Sequence, residues 1–230
     1  MKNDSDNKIV ELFRHANASA KLVEVADSFE MKRGGQLSDL HIAYETWGEL
    51  NKDQSNVIVI FTGLSANSHV TSSQNNQTPG WWETMVGDGK AIDTSKYHVI
   101  CINTLGSCFG STSPVSINKK TSQPYRLTFP ELTVEDMANA SALLLKKIGI
   151  DKIHLLIGPS LGGMKALAFS ILHNTVVDNM ILISTATQAL PFAIALRSLQ
   201  REVIRKDPLW SNGFYSYEKP PLNGVRIARK

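Results

Sequence analysis

The chain of 230 residues carries a formal net charge of +3 and contains 42% hydrophobic and 20% charged residues. These proportions are typical of one soluble globular domain and exclude a fibrous or intrinsically disordered protein. A charge this small, without a block of Lys and Arg interleaved with aromatic residues, argues against nucleic-acid binding, although a slightly basic surface favours an anionic substrate.

The first predicted elements are two strands that follow an irregular N-terminus. Residues 1–18 show no sustained apolar period, which predicts a loose arm. Residues 21–29 and 40–47 contain partly alternating apolar positions, and Gly34 and Gly35 between them suit a turn. The pattern predicts an antiparallel hairpin at the edge of a sheet.

Short apolar runs rich in β-branched residues come next, and helical patterns lie between the later ones. Continuous apolar runs of this length are typical of strands that are buried on both faces of a parallel sheet. The alternation predicts right-handed crossovers and an α/β fold with a doubly wound, mostly parallel sheet. The four runs are 57–61, 98–102, 153–157 and 180–183.

Three helices are predicted in this part of the chain. The pattern 133–148 begins with Thr133, whose side chain can cap the first turn. The pattern 161–173 connects the third and fourth apolar runs. A third, amphipathic pattern covers 192–206 and is ended by Pro208.

Neither export nor membrane insertion is predicted. The N-terminus is polar and acidic, and no apolar run reaches 18 residues. Cys101 lies in an apolar strand and Cys108 in a loop rich in Gly and Ser, so the two form no disulfide framework. We interpret both as reduced thiols of a cytoplasmic protein.

The strongest motif is the run 158–163, Gly-Pro-Ser-Leu-Gly-Gly, between a predicted strand and a predicted helix. A serine on a sharp strand-to-helix turn projects its hydroxyl above the sheet, and the glycines relieve the crowding that this turn creates. Ser160 is therefore a candidate nucleophile. The alternative is a chance match in an ordinary tight turn, but the order of strand, motif and helix favours the catalytic interpretation.

Two backbone amides are candidates for an oxyanion hole. The N–H of Leu161 opens the helix after Ser160, where the helix dipole favours negative charge. The second donor is expected from a loop after an earlier strand, and 62–66 follows the strand 57–61. We assign it to the N–H of Leu64.

The sequence resembles the homoserine O-acetyltransferase family of α/β-hydrolase-fold enzymes from Tyr44 to Lys230, and several runs look closer to its branch that succinylates serine. The runs nearer that branch are 63–65, 105–108, 124–127 and 197–202. The runs shared with the whole family are 44–48, 79–83, 86–87, 92–94, 103–112, 129–130 and the segment around Ser160.

The resemblance implies a ping-pong reaction. Ser160, activated by a histidine, would attack an acyl-CoA thioester, and the acyl-serine would pass its acetyl or succinyl group to the hydroxyl of homoserine or serine. Acetyl-CoA or succinyl-CoA would be a substrate, with no permanently bound cofactor or metal. The activated amino acid would serve methionine or cysteine biosynthesis.

The resemblance also assigns a substrate-binding residue and a domain division. Arg229 would hold the carboxylate of the acceptor amino acid through two parallel hydrogen bonds, whereas without the resemblance it would be interpreted as a solvated surface charge. Residues 19–190 would form an incomplete α/β-hydrolase core and 191–230 the start of a helical lid. Two lids could pair into a homodimer, or 192–206 could pack over its own sheet.

The sequence offers no general base in the expected place. In this fold the acid and then the histidine follow the nucleophile. His173 is the only histidine after Ser160, and a helix rising about 1.5 Å per residue puts it about 18 Å or more away. His69 lies near the loop 62–66, but chain order argues against it, and Asp178 or Asp207 without a base would orient nothing.

Three interpretations therefore remain. One is an O-acyltransferase whose Asp and His lie beyond residue 230, so that the given chain is a truncated and inactive piece with an unpaired apolar strand, 180–183. The second is an esterase on the same fold, because the motif does not distinguish water from an amino-acid acceptor. The third is a catalytically silent product.

Overall fold

A computed structural model describes residues 19–216 and 218–230. The predicted N-terminal arm, 1–18, lies outside the described residues. The strands are β1 Lys21–Glu30, β2 Gln36–Trp47, β3 Val57–Phe61, β4 Val86–Gly87, β5 Ile92–Asp93, β6 His98–Ile102, β7 Ile117–Asn118, β8 Gln123–Pro124, β9 Ile153–Pro159 and β10 Val177–Ile183, and the α-helices are α1 Val134–Lys147, α2 Leu161–Leu172, α3 Pro191–Lys206 and α4 Leu222–Ala228.

A six-stranded sheet in the order β1-β2-β6-β3-β9-β10 forms the centre of the molecule. The strands β6, β3, β9 and β10 run parallel, whereas β2 joins β6 antiparallel and β1 joins β2 antiparallel. The mostly parallel α/β sheet and the antiparallel N-terminal hairpin are confirmed. β2 begins earlier than expected, because Leu37 is buried and extends the pairing with β1.

The two faces of the sheet are covered differently. On one face α1 and α2 pack against alternate residues of β3 and β6, with Phe61 against Phe169 at a ring-centroid distance of 5.6 Å. The other face is covered by the segment 68–97, which contributes the stacked rings of Trp81 and Trp82. That segment contains only the two-residue strands β4 and β5, which are too short to leave a periodic pattern.

α1 begins with a complete capping box. The side chain of Thr133 accepts a hydrogen bond from the Asp136 amide, and the Asp136 carboxylate accepts from the Thr133 amide and hydroxyl. The same buried carboxylate accepts from the Lys32 amide, in the turn between β1 and β2. The cap expected from Thr133 is therefore confirmed, and it also anchors the hairpin.

The buried stripe of α2 differs from its most obvious apolar positions. Gly162, Lys165, Ala166 and Phe169 are buried, whereas Leu172 is 46% exposed. The helix is apolar on all sides, so its period did not determine which face would be buried. Small residues at its N-terminus allow the close approach to the sheet.

The end of the described chain lies on the periphery. None of the residues of α3 is buried, and α3 packs against α4, where a Cβ on Gly224 would come within 2.8 Å of the Ile204 Cα. β10 pairs with β9 alone and forms the sheet edge that was expected to be unpaired, with Ile181 and Leu182 exposed. Among the described helices, none is long and apolar enough to cross a membrane.

Candidate active site

Ser160 occupies the turn between β9 and α2 in a strained backbone conformation. Its φ is 54° and its ψ is −118°, values that residues with a side chain rarely adopt. The Ser160 amide donates to the Ile183 carbonyl at 2.9 Å, and the Ser160 carbonyl accepts from the Thr185 hydroxyl at 2.9 Å. The surrounding structure thus holds the strained turn in place while Ser160 stays exposed.

The three glycines around Ser160 are required by close backbone approach. A Cβ on Gly158 would lie 2.3 Å from the Gly162 carbonyl oxygen, and a Cβ on Gly162 would lie 2.3 Å from the Phe61 carbonyl oxygen. A Cβ on Gly163 would lie 2.5 Å from the methyl carbon of Thr185. The steric reason given for the glycines of the motif is therefore present at each position.

The loop 62–66 runs beside this turn, because the N-terminus of α2 touches the end of β3. A Cβ on Gly63 would be in ordinary contact, at 3.6 Å, with the Pro159 carbonyl oxygen. The Leu64 side chain is 66% exposed, and among the described residues the amides of Leu64 and Leu161 donate no hydrogen bond. The structure thus brings together Ser160 and the loop that carries one proposed oxyanion-hole donor; the donor role itself stays a prediction.

Each histidine of the described residues has contacts away from Ser160. His173 caps the end of α2, where its Nε2 lies 3.1 Å from the Asn139 side-chain oxygen and burial lowers its pKa. His69 is buried between Glu45 and the Thr78 carbonyl. The other three are on the sheet: His41 contacts the Asp39 carbonyl, His98 contacts the Gly48 carbonyl, and His154 stacks on Tyr97.

A comparison with known protein families identifies the fold of the region around Ser160. The sequence profile of the α/β hydrolase fold matches residues 56–230. The chain belongs to the α/β-hydrolase fold family. The segment inferred to be the nucleophile turn of that fold lies inside the matched region.

Three similar proteins locate the chain within this family. It is 54% identical over 202 residues to a serine O-succinyltransferase of Xanthomonas oryzae pv. oryzae, covering 88% of this chain and 51% of that protein. It superimposes on the homoserine O-acetyltransferase of Bacillus anthracis with a TM-score of 0.83 and 33% identity, over 91% of this chain and 58% of that one. Esterase E22 gives a TM-score of 0.83 and 34% identity, over 91% and 59%.

The resemblance to homoserine O-acetyltransferases, and the closer likeness to proteins named serine O-succinyltransferase, is therefore confirmed. The chain spans about half the length of the curated relative that it matches. An esterase is thus among the structures on which the chain superimposes equally well.

Arg229 is adjacent to the loop 62–66. It follows α4, and its guanidinium donates to the Ser65 hydroxyl at 3.4 Å while remaining exposed. A polar cleft of about 590 Å³ opens beside the same loop and is lined by Ser65, Asn67 and His69 among others. A cation at the rim of a polar cleft is a suitable arrangement for a small anionic substrate.

The two acidic residues considered as partners of a base have other roles. Asp178 forms a surface ion pair with Lys152 at 3.2 Å. Asp207 accepts from the amides of Gly224 at 2.8 Å and Leu209 at 2.9 Å, hydrogen bonds that lower its pKa and connect α3 to α4. Both contacts are structural.

The sequence reasoning missed a buried amine on the helix that follows Ser160. The side chain of Lys165 on α2 is fully buried, its Nζ lies 4.0 Å from the centroid of the Phe61 ring, and it has no hydrogen-bond partner among the described residues. Burial lowers the pKa of Lys165 to about 7. In the sequence, only the position of Lys165, about one helical turn after Ser160, could have drawn attention to it. That position alone does not indicate burial.

The two thiols are separate and protonated. Cys101 is buried in β6 and Cys108 is partly buried, and neither forms a disulfide. Desolvation by burial raises the pKa of both. This agrees with the interpretation of two reduced thiols.

Proposed function

We propose that this chain carries the nucleophile, the oxyanion hole and part of the acceptor site of an acyl-CoA-dependent O-acyltransferase. Ser160 attacks the thioester carbonyl, the amides of Leu64 and Leu161 bind the oxyanion, and CoA leaves as the acyl-serine forms. The hydroxyl of serine or homoserine then takes the acyl group. The product is an activated amino acid for cysteine or methionine biosynthesis.

The observation that carries the proposal is the strained conformation of Ser160. A φ of 54° in a serine, held by hydrogen bonds of both its amide and its carbonyl group, costs about 1–3 kcal/mol and is typical of functional sites. An ordinary tight turn at this place would use glycine. The strain therefore supports a role for the exposed hydroxyl.

The likeness to proteins named serine O-succinyltransferase supports serine as acceptor and succinyl-CoA as donor, and homoserine with acetyl-CoA is the second pair. In this proposal Arg229 binds the acceptor carboxylate at the rim of the polar cleft. Because an acyltransferase must favour an amino-acid hydroxyl over water, the acceptor must be held close to the acyl-serine.

The reaction also requires a general base, and the described residues bring no histidine to Ser160. The proposed activity therefore needs an acid and a base from other residues. For the 230-residue chain alone we expect only the residual rate that binding and an oxyanion hole leave when the base is absent, about 10³–10⁴-fold over water.

The second candidate is an esterase, favoured by the similarity to esterase E22. The two functions differ in what removes the acyl group from Ser160. Amino-acid acceptors speed deacylation of an acyltransferase and yield the O-acyl amino acid, whereas an esterase releases free acid at a rate that the amino acid does not change.

The test assays the protein expressed from its complete coding region beside the 230-residue chain. Acetyl-CoA and succinyl-CoA are each combined with serine and homoserine, and products are identified by mass spectrometry. Ser160→Ala must abolish acyl-enzyme formation, and Arg229→Ala must raise KM for the amino acid more than it lowers kcat. Release of free acid whatever the acceptor would reject the acyltransferase in favour of the esterase.

We further propose a cytoplasmic protein that pairs through α3. The reduced thiols support the compartment, and the exposed side chains of Phe192, Ile194 and Leu199 on α3 support pairing. Sedimentation velocity should show a dimer that Phe192→Glu dissociates, whereas Leu50→Glu, at an exposed leucine outside α3, should leave it intact. A monomer at all concentrations would refute the pairing.

A further inference from the structure

Glu45 and His69 form a buried ion pair between the sheet and the segment after the loop 62–66. The Nδ1 atom of His69 lies 2.9 Å from Oε2 of Glu45, and the two side chains are 8% and 4% exposed. Glu45 belongs to β2, where it pairs opposite Cys101 of β6. The carboxylate also accepts hydrogen bonds from the hydroxyls of Ser19 at 2.9 Å and Ser68 at 3.1 Å.

The partners of the imidazole require it to carry a proton on each nitrogen. Nε2 lies 2.7 Å from the Thr78 carbonyl oxygen, which can only accept, and Nδ1 faces the carboxylate of Glu45. With Glu45 ionised, a neutral imidazole, which donates from only one nitrogen, would leave either the Thr78 carbonyl or the Glu45 carboxylate without the hydrogen bond from this ring. The geometry is therefore that of an imidazolium.

The electrostatic surroundings agree with this assignment. Burial lowers the pKa of His69, but the hydrogen bonds to Glu45 and Thr78 and the charges of Glu45 and Glu83 outweigh it, and the net pKa is raised. Glu83 itself accepts from the amides of Gly80 and Ser72, which lower its pKa to about 2 and keep it anionic. No cation among the described residues contacts the His69 ring.

The ion pair fixes two neighbouring segments relative to the sheet. Ser68 and His69 follow the loop 62–66 by only a few residues, and both side chains bind the same carboxylate. The second segment, 78–81, is held by two hydrogen bonds. The Thr78 carbonyl accepts from the His69 ring, and the Trp81 indole donates to the Asn67 carbonyl at 2.8 Å. The loop that carries Leu64 therefore has one end on β3 and the other on Glu45.

We propose that the Glu45–His69 ion pair is a positioning device that holds the Leu64 amide in the oxyanion hole. This deepens the proposed acyl transfer and rests on it. An oxyanion-hole donor works only if it is fixed before the charge develops, because reorganisation would consume the stabilisation it provides. In this proposal both side chains act through the backbone of the loop, although the His69 ring also lines the polar cleft.

The first test is the protonation state of His69 in the 230-residue chain. Two-bond ¹H–¹⁵N spectra, assigned with His69→Gln, should show both ring nitrogens protonated at neutral pH. Glu45→Gln should lower the pKa of His69 by about 1 or more, whereas the ring signals of His98, which contacts the Gly48 carbonyl, should not change. A neutral His69 ring at pH 7 would overturn the proposal.

The second test is the order of the loop. In hydrogen exchange, Glu45→Gln should speed exchange in 62–69 by about tenfold or more while α1 keeps its protection. The matched control is His98→Gln, which should change neither the exchange of 62–69 nor that of α1. Unchanged protection of 62–69 in a folded Glu45→Gln variant would overturn the proposal. Protection lowered throughout the chain would also overturn it, because that is the result expected of a merely structural pair.

The wild-type chain provides a test that does not depend on folding of a variant. A raised pKa means that the order of the loop is complete below the ordinary histidine pKa of 6.5 and is lost as pH rises through the raised value. Exchange in 62–69, divided by that of α1 amides to remove the effect of base catalysis, should therefore accelerate as pH rises from about 6.5 through the raised pKa of His69. A constant ratio over that range would count against the ion pair.

A chemical readout connects the loop to Ser160. Acylation of Ser160 by p-nitrophenyl acetate, followed by intact mass, should be about tenfold slower in Glu45→Gln than in wild type, with His98→Gln unchanged. This assay uses the protein expressed from its complete coding region, because the described residues bring no base to Ser160. If that protein is not acylated at all, the proposed acyl chemistry fails, and the spectra and exchange data still decide whether the ion pair orders the loop.

Discussion

At the residue scale, the contact between α2 and the end of β3 depends on the absence of a side chain at Gly162. We expect Gly162→Ala to lower the free energy of unfolding by at least about 2 kcal/mol, because its Cβ would lie 2.3 Å from the Phe61 carbonyl oxygen. Gly63→Ala is the control, since its Cβ would meet nothing closer than 3.6 Å. Urea unfolding measures both, and equal costs would contradict the steric reason.

The buried amine of Lys165 gives a second prediction at this scale. Lys165→Met removes a polar group without a hydrogen-bond partner from the core and should raise the free energy of unfolding at pH 7 by about 1–3 kcal/mol. Lys147→Met, at an exposed position of α1, should change it by less than about 0.5 kcal/mol. A destabilised Lys165→Met would instead mean that the contact with the Phe61 ring is favourable overall.

The same residue should make stability depend on pH. Burial holds the pKa of Lys165 at about 7 in the folded chain, against 10.5 when exposed. Below the exposed value the unfolded chain binds a proton that the folded chain does not, so stability falls as pH drops from 10.5 towards 7 and levels off below. The advantage of Lys165→Met should therefore be larger at pH 7 than at pH 10, as urea unfolding at both values would show.

At the scale of elements, the N-terminus of α1 connects a helix to the hairpin. Asp136→Ala should cost about 2–3 kcal/mol, because it leaves the amides of Thr133 and Lys32 without acceptors. Thr133→Ala should cost about 1 kcal/mol, the usual value of a cap. Glu135→Gln removes a solvent-exposed ion pair with Lys32 and should cost at most about 0.5 kcal/mol. Thermal unfolding ranks the three variants by their loss of stability. A large cost for Glu135→Gln would contradict the expected ranking.

Local sequence patterns predicted most of these elements. The hairpin, the four parallel strands and the helices α1, α2 and α3 were all expected, because apolar runs, caps and prolines act within a few residues. The elements that were missed, β4, β5, β7, β8 and α4, are two to seven residues long, which is too short to leave a periodic apolar pattern. The buried face of α2 was also unpredictable, since a helix that is apolar all round has no preferred side by its period.

At the scale of the whole molecule, the edge of the sheet should govern solution behaviour. β10 pairs only with β9 in the described chain, and Ile181 on it is 47% exposed. An apolar edge strand is a template for pairing with a second chain, and an edge lysine opposes it. Ile181→Lys should therefore reduce concentration-dependent association in sedimentation velocity, whereas Leu50→Lys should not. Equal association of the two variants would contradict a role for the edge.

The sequence by itself determined the fold class, the strand-to-helix turn at Ser160 and the place of the loop beside it. These depend on the order of strand, motif and helix and on glycines close to Ser160, all of which are local. Only the tertiary structure decided that Glu45 and His69 meet, that Lys165 is buried, and that Arg229 lies at Ser65. The physical reason is that a charged residue acquires its role from burial and from distant partners, which chain-local patterns do not encode.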